Sequence, residues 1–131
     1  MKSSKDSPES LDSLLPVTVE PIEPPTYLTL FEAKDVQLLV VNHSDKTLNL
    51  QIQMRLSDMK GVKVCSKSFQ NLGEVKASGG SCIAPIKILP VEAGLFRLQG
   101  CVILDLFSGR EIVQPALFNA FVYGSEIEAG Q

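Results

Sequence analysis

The stretch LNLQIQMRL, residues 48 to 56, alternates apolar and polar side chains without a break. Successive side chains of a β-strand point to opposite faces, so this period of two predicts a strand with one apolar and one polar face. The apolar positions are Leu48, Leu50, Ile52, Met54 and Leu56, and the polar positions are Asn49, Gln51, Gln53 and Arg55. We expect the apolar face to cover an opposing sheet. The polar face suits either a solvated outer surface or a polar docking surface.

Similar stretches occur on both sides of this strand, separated by short runs rich in Gly, Pro, Asn and Asp. Their even spacing predicts an all-β fold, an antiparallel immunoglobulin-like β-sandwich of about seven to eight strands. The first segments are an edge strand near 17–20, an extended crossing at 26–31 and a strand at 35–41 that is buried on both faces or nearly so. Short strands are expected at 62–64 and 68–75, and a further strand at 81–89 has Ile86 and Ile88 inward and Pro85 at an edge or bulge. One long strand follows at 95–107, and the last strand, at 112–124, is bent at Pro115.

The length of 131 residues corresponds to one domain. Residues 1–15, rich in Ser, Asp, Glu and Lys, are expected to form a disordered tail or linker, followed by the sandwich domain at 16–124 and a C-terminal tail at 125–131. The net charge of −3 argues against a nucleic-acid binder, which usually carries a basic patch. The first residues lack the apolar core of a signal peptide, and no apolar run is long enough for a membrane helix, so we expect a cytoplasmic protein.

The chain contains three cysteines, Cys65, Cys82 and Cys101. Secreted disulfide frameworks usually have an even number, so we expect three reduced thiols, with a Cys82–Cys101 bridge as the alternative. His43 is the only histidine and falls in a turn, so a zinc site has too few ligands. We find no constellation of nucleophile and base, and the sequence predicts a protein that is not an enzyme and has no catalytic residues, metal or cofactor.

The last strand carries more apolar side chains than one sandwich core can take. If Phe118 and its alternate neighbours point inward, then Leu117, Phe121 and Tyr123 point outward, or the reverse. The same reasoning applies to Leu95 and Ile103. We therefore expect an exposed apolar patch, and the five candidate partner-binding residues are Leu117, Phe121, Tyr123, Leu95 and Ile103. The alternative is that the N-terminal segment at 17–31 packs over these side chains.

Lys60, Lys63 and Lys67 lie close together in sequence around the short strand at 62–64. Lysines on an exposed strand discourage pairing with another sheet, so we interpret this strand as a protected edge. The same lysines would also suit an acidic partner.

Three stretches resemble the C-terminal β-sandwich of the subunit 13 family of the transport protein particle (TRAPP), a tethering complex of the secretory pathway. They are NHSDKTLNLQIQM (42–54), FQNLGEV (69–75) and LPVEAGLFRLQGCVILDLFSGREI (89–112), and the resemblance spans about residues 30 to 123. It includes Gly94, Leu95, Leu98 and Gly100, followed by Asp105 and Phe107.

The resemblance implies a non-enzymatic protein-interaction role in vesicle tethering, with other TRAPP subunits as partners and a position at Golgi or ER–Golgi membranes. From the residues alone, the alternative is a small-ligand or lipid-binding β-sandwich.

Overall fold

The computed structural model describes residues 15–55, 57 and 59–124. The predictions for the two tails and for the inward position of Leu56 concern residues outside these ranges. Leu15, which was assigned to the N-terminal tail, is described and packs half-buried against the core.

The described chain forms eleven strand segments, more than the seven or eight expected, because two long strands are each divided by a bend and the expected crossing at 26–31 contains a short strand. In chain order they are β1 (Val17–Ile22), β2 (Tyr27–Thr29), β3 (Lys34–Asn42), β4 (Leu48–Met54), β5 (Val62–Val64), β6 (Phe69–Val75), β7 (Gly80–Pro90), β8 (Gly94–Leu98), β9 (Cys101–Asp105), β10 (Arg110–Val113) and β11 (Phe118–Tyr123).

The strands form three sheets. Sheet I has the order β1-β3-β7-β5, sheet II the order β10-β9-β4-β6, and sheet III the order β2-β11-β8. Neighbouring strands are antiparallel except β2 and β11, which are parallel. The inward side chains of all three sheets belong to one hydrophobic cluster, which confirms the predicted all-β sandwich.

Strand β4 has the predicted alternation. Leu50, Ile52 and Met54 are buried in the core cluster, whereas Asn49 and Gln51 on the other face are half-exposed. The turn before β4 is held by Asn42, whose buried amide donates to the carbonyls of Lys46 and Val75 at 2.8 and 2.9 Å. Its Oδ1 accepts hydrogen bonds from the backbone and hydroxyl of Ser44, so the polar turn chemistry predicted here is present.

The prediction that 35–41 is buried on both faces, or nearly so, holds only in part, since Asp35 and Gln37 are exposed. Val36, Leu38 and Val40 point into the core, but Leu39 and Val41 are half-exposed. Only one face of β3 is therefore fully buried.

The single long strand predicted at 95–107 is wrong, because the chain bends at Gly100. This residue has φ of 97°, which a glycine adopts without steric cost, and the strand leaves sheet III as β8 and enters sheet II as β9. The inward positions change parity there: Phe96 and Leu98 are buried before the bend, and Cys101 and Ile103 after it. The paired strand divides at the same level into β10 and β11, near the predicted bend at Pro115.

The outer edge of β1 is closed by a side chain. Gln114, which lies between β10 and β11 and is buried, accepts a hydrogen bond from the backbone N–H of Val19 at 3.2 Å and donates one to the carbonyl of Val17 at 3.0 Å. Pro21 faces the same edge by alternation and has no N–H to offer. The prediction of an edge strand at 17–20 is confirmed.

Candidate functional site

The outer face of sheet III carries apolar side chains that the sandwich core does not cover. Along β11, Phe118, Ala120 and Val122 point into the core, and the alternate residues Phe121 and Tyr123 point outward. These two side chains are 44% and 49% exposed, although each is aromatic.

The strand register places Phe121 in one row across the sheet with two further exposed side chains. Phe121 lies opposite Tyr27 of β2 on one side and opposite Leu95 of β8 on the other. Leu95 is 82% exposed and Tyr27 is 65% exposed. Directly opposite residues in neighbouring strands have side chains in contact range, so the row is continuous rather than scattered.

The ring of Tyr123, the next outward residue of β11, packs against the two aromatic rings of this row. The ring centroid of Tyr123 lies 4.8 Å from that of Phe121 and 6.1 Å from that of Tyr27, both in edge-to-face geometry. Such pairs contribute roughly 0.5–1.5 kcal/mol beyond their area burial. The rings are therefore pre-ordered while still open to solvent. We name Tyr27, Leu95, Phe121 and Tyr123 the apolar patch.

The structure brings together three of the five residues that the sequence put forward. Leu95, Phe121 and Tyr123 meet in the apolar patch. Ile103 does not, and its assignment to an exposed face is wrong: it has 0% exposure and belongs to the core, because the bend at Gly100 reverses the parity of the strand. Leu117 is half-buried and packs against the core, so it too lies outside the patch. Partner binding by the remaining three stays a prediction.

Tyr27 is the member of the patch that sequence reasoning missed. The segment was expected to be an extended crossing, and the alternation of TYLTL (26–30) would have put Tyr27 on the face opposite to Leu28. Its parallel pairing with β11 joins residues far apart in the chain, and no local pattern reports such a pairing.

The polar face of β4 forms a hydrogen-bonded ladder. Gln51 donates to Asn71 at 2.8 Å, and Gln53 donates to Gln51 at 2.7 Å. Arg55 donates to Gln53 at 3.2 Å and to Glu111 at 2.9 Å, where it also forms an ion pair. These polar groups satisfy one another, which is typical of a solvated outer sheet.

The chemistry-bearing groups of the described chain are separate from one another. His43 is exposed in its turn, where its ring nitrogen is 2.8 Å from the hydroxyl of Thr18. Within residues 15–55, 57 and 59–124, no group of three or more His, Cys, Asp or Glu side chains is placed to hold a metal ion. In the same ranges, no helix is long and apolar enough to cross a membrane.

Asp105 is a buried carboxylate whose hydrogen bonds are structural. Burial acts to raise its pKa, but hydrogen bonds from the Ser108 hydroxyl and from backbone N–H groups, including those of Phe107 and Asn49, outweigh burial and hold the pKa below its ordinary value. The carboxylate therefore fixes the β9–β10 turn to the start of β4.

The three cysteines are free thiols with different environments. Cys65 is exposed and lines an open groove of about 960 Å³ together with residues such as Phe69 and Lys87. Cys82 is half-buried, and Cys101 is fully buried, where desolvation raises its pKa to about 12.

The described strand edges near this groove are protected. β5 has only three residues and forms the edge of sheet I, with Lys63 within it and Lys60 and Lys67 on either side, which agrees with the protected edge predicted for the lysines. Where β5 ends, the next open stretch of β7 contains Pro85, whose carbonyl accepts a hydrogen bond from the side chain of Gln70 at 2.7 Å.

Solved structures similar to the chain include two that share 14% sequence identity with it. A CARDB domain from Pyrococcus furiosus, solved with di-metal ions, has a TM-score of 0.49 and the match covers 82% of this chain and 87% of that chain. A non-cellulosomal cohesin from Archaeoglobus fulgidus has a TM-score of 0.35, with 87% of this chain and 95% of that chain covered. Both scores are too low to carry an argument about this chain.

No curated protein matches the sequence. A family match covers residues 25–122, well over half of the chain, and the family is described as trafficking protein particle complex subunit 13, C-terminal. This agrees with the resemblance found in the sequence, including its extent. The chain therefore belongs to the family of the C-terminal domain of trafficking protein particle complex subunit 13.

Proposed function

We propose that this domain is a non-enzymatic protein-interaction module, an accessory part of a vesicle-tethering TRAPP-like complex in ER–Golgi and Golgi trafficking. Its partners are other proteins of that complex. It acts in the cytoplasm, peripherally at Golgi or ER–Golgi membranes. The observation that carries the proposal is the apolar patch, and the family supplies the cellular setting.

The patch supports docking because contact between its apolar side chains and water is unfavourable in free energy, and a partner would remove that contact. Soluble monomers seldom leave several large apolar side chains together in solvent, and such clusters mark interfaces. Tyrosine also suits an interface, since its ring buries a large area and its hydroxyl reaches a polar partner.

The edges of sheet I are protected against strand addition, which favours docking elsewhere on the domain. The β1 edge is closed by Gln114 and Pro21, the β5 edge carries lysines, and the open stretch of β7 contains Pro85. These are features that discourage pairing with another sheet.

The ligand-binding alternative has no specific observation in its favour. It requires an apolar interior that holds a cargo, whereas the inward side chains of the three described sheets form one packed cluster. We therefore do not develop it.

Affinity capture of the tagged chain from cell extract, with partners identified by mass spectrometry, tests the proposal. We compare the wild type with Phe121→Glu. Phe69→Glu is the matched control, because Phe69 is 57% exposed and lies on β6, in a different sheet. The proposal expects Phe121→Glu to lose trafficking-particle subunits that the wild type and the control retain. Equal recovery with all three proteins would overturn it.

A further inference from the structure

The geometry of the apolar patch points to the kind of segment that it binds. The row Leu95–Phe121–Tyr27 runs across three neighbouring strands. Strands in a sheet are about 4.8 Å apart, so the row is about 10 Å long and perpendicular to the strands.

An extended segment cannot cover the apolar row and also pair its own backbone groups. A strand that lies across the face of a sheet leaves its own N–H and C=O groups without partners, which costs free energy when they are buried. An added strand at the edge runs parallel to β8 and touches only one end of the row. Backbone hydrogen bonds also lie just beyond the two ends of β8: the N–H of Arg55 donates to the carbonyl of Gly100, and the N–H of Val91 donates to the carbonyl of Gly61.

A helix satisfies its own backbone and matches the length of the row. With a rise of 1.5 Å per residue, positions i and i+7 of a helix are about 10.5 Å apart, close to the distance from Leu95 to Tyr27. Positions i+3 and i+4 fall between them on the same face, above Phe121. One apolar stripe of a helix therefore covers the whole row.

The charge next to the row indicates the composition of that helix. Arg97 is the only charged residue in β2, β8 and β11, and it lies on the same outer face as Leu95, two residues further along β8. Among the described residues, no carboxylate forms an ion pair with Arg97. A carboxylate on the partner is the complementary group.

We propose that the apolar patch binds an amphipathic helix of a partner protein, lying across the three strands, with apolar residues at i, i+3 or i+4 and i+7 and an acidic residue facing Arg97. This inference rests on the proposed function, since it names the partner segment for the same surface. A second copy of this chain and an extended segment are the competing occupants.

Site-specific photo-crosslinking tests the geometry. A photoreactive phenylalanine is placed at position 27 or at position 95 of the full chain in cells, and crosslinked partner residues are mapped by mass spectrometry. We expect both positions to label one helix of one partner protein, at residues about seven apart. Labels about three residues apart in an extended segment, labels in separate proteins, or labels in another copy of this chain would overturn the inference.

The charge is tested by Arg97→Glu, with Arg110→Glu as the matched control, because Arg110 is exposed and lies on β10 of sheet II. Arg97→Glu is expected to weaken capture of the labelled partner about tenfold, since it places like charges together. Reversal of the facing partner carboxylate to lysine is expected to restore it. An unchanged affinity with Arg97→Glu contradicts the acidic partner.

Failure of the two proposals is distinguishable. If Phe121→Glu leaves capture unchanged, the proposed function itself fails. If Phe121→Glu abolishes capture but the labels do not show a helical spacing, only the helix inference fails.

Discussion

Replacement of Ile103 by alanine tests whether the bend at Gly100 turns the side chain of Ile103 into the core. Ile103 lies between Ile52 of β4 and Ile112 of β10 in the strand register, and all three side chains are buried. Ile103→Ala removes three carbon atoms, worth about 2.4 kcal/mol at about 0.8 kcal/mol per methylene, before the cavity is counted. With the cavity, we expect the free energy of unfolding to fall by about 3–4 kcal/mol.

The measurement is equilibrium urea unfolding. With a slope of about 2 kcal/mol per molar urea, the midpoint falls by about 1.5–2 M. Ile103→Val serves as a milder variant, expected to cost about 1 kcal/mol, in case the alanine variant does not fold.

Leu104→Ala is the matched control, since Leu104 is the half-exposed neighbour on the other face of β9. It should cost less than Ile103→Ala, about 1–2 kcal/mol. If Ile103→Ala changes the free energy by less than about 0.5 kcal/mol and Leu104→Ala costs more, then the strand keeps one parity through residue 100 and the described bend is refuted.

Three further predictions follow from buried polar groups and thiols. Asp105→Asn should lower the free energy of unfolding at neutral pH by about 1–3 kcal/mol. The wild-type carboxylate has a lowered pKa in the folded state, so its stabilising contribution is present above the unfolded pKa and is lost as pH falls through the folded pKa. Urea midpoints measured from pH 7 to pH 3 should therefore fall more steeply for the wild type than for the variant, and parallel curves would contradict the assignment. Asn42→Ala should cost about 2 kcal/mol or more by thermal or urea unfolding, since it leaves buried turn carbonyls without donors; a loss below about 0.5 kcal/mol would refute the role of this side chain. A thiol reagent should label Cys65 first, Cys82 more slowly and Cys101 only on unfolding, and rapid labelling of native Cys101 would contradict its burial.

The parts of the fold that the sequence predicted are those decided within one strand. The alternation of residues 48–56 gave β4 and its buried face, because a strand with one face in the core has a strict period of two. The turn at Asn42 and Ser44 was predictable for a similar reason, since its hydrogen bonds join residues that are close in sequence.

The parts that the sequence did not predict depend on how the sheets close. The run CVIL at 101–104 is apolar on both faces, so it does not reveal which parity is inward. The bend at Gly100 decides it, and that bend exists because one long hairpin is shared between sheets II and III. This is why Ile103 was placed on the wrong face.

The candidate site was predicted in part for the same reasons. Phe121 and Tyr123 share a strand, so alternation put them on one face, and Leu95 comes opposite Phe121 in an ordinary antiparallel pair. Tyr27 joins through a parallel pair between distant segments, which single-sequence patterns do not report. Its contribution became visible only with the register of sheet III.

The most direct test of the interface claim uses tyrosine labelling. The chain contains only two tyrosines, Tyr27 and Tyr123, and both lie in the apolar patch. A tyrosine-specific reagent therefore reports on this surface alone within the chain. We would compare labelling of the isolated chain with labelling of the chain in its assembled trafficking complex. Strong protection of both tyrosines in the complex is the predicted result; equal labelling of both in the two states would contradict docking through the patch.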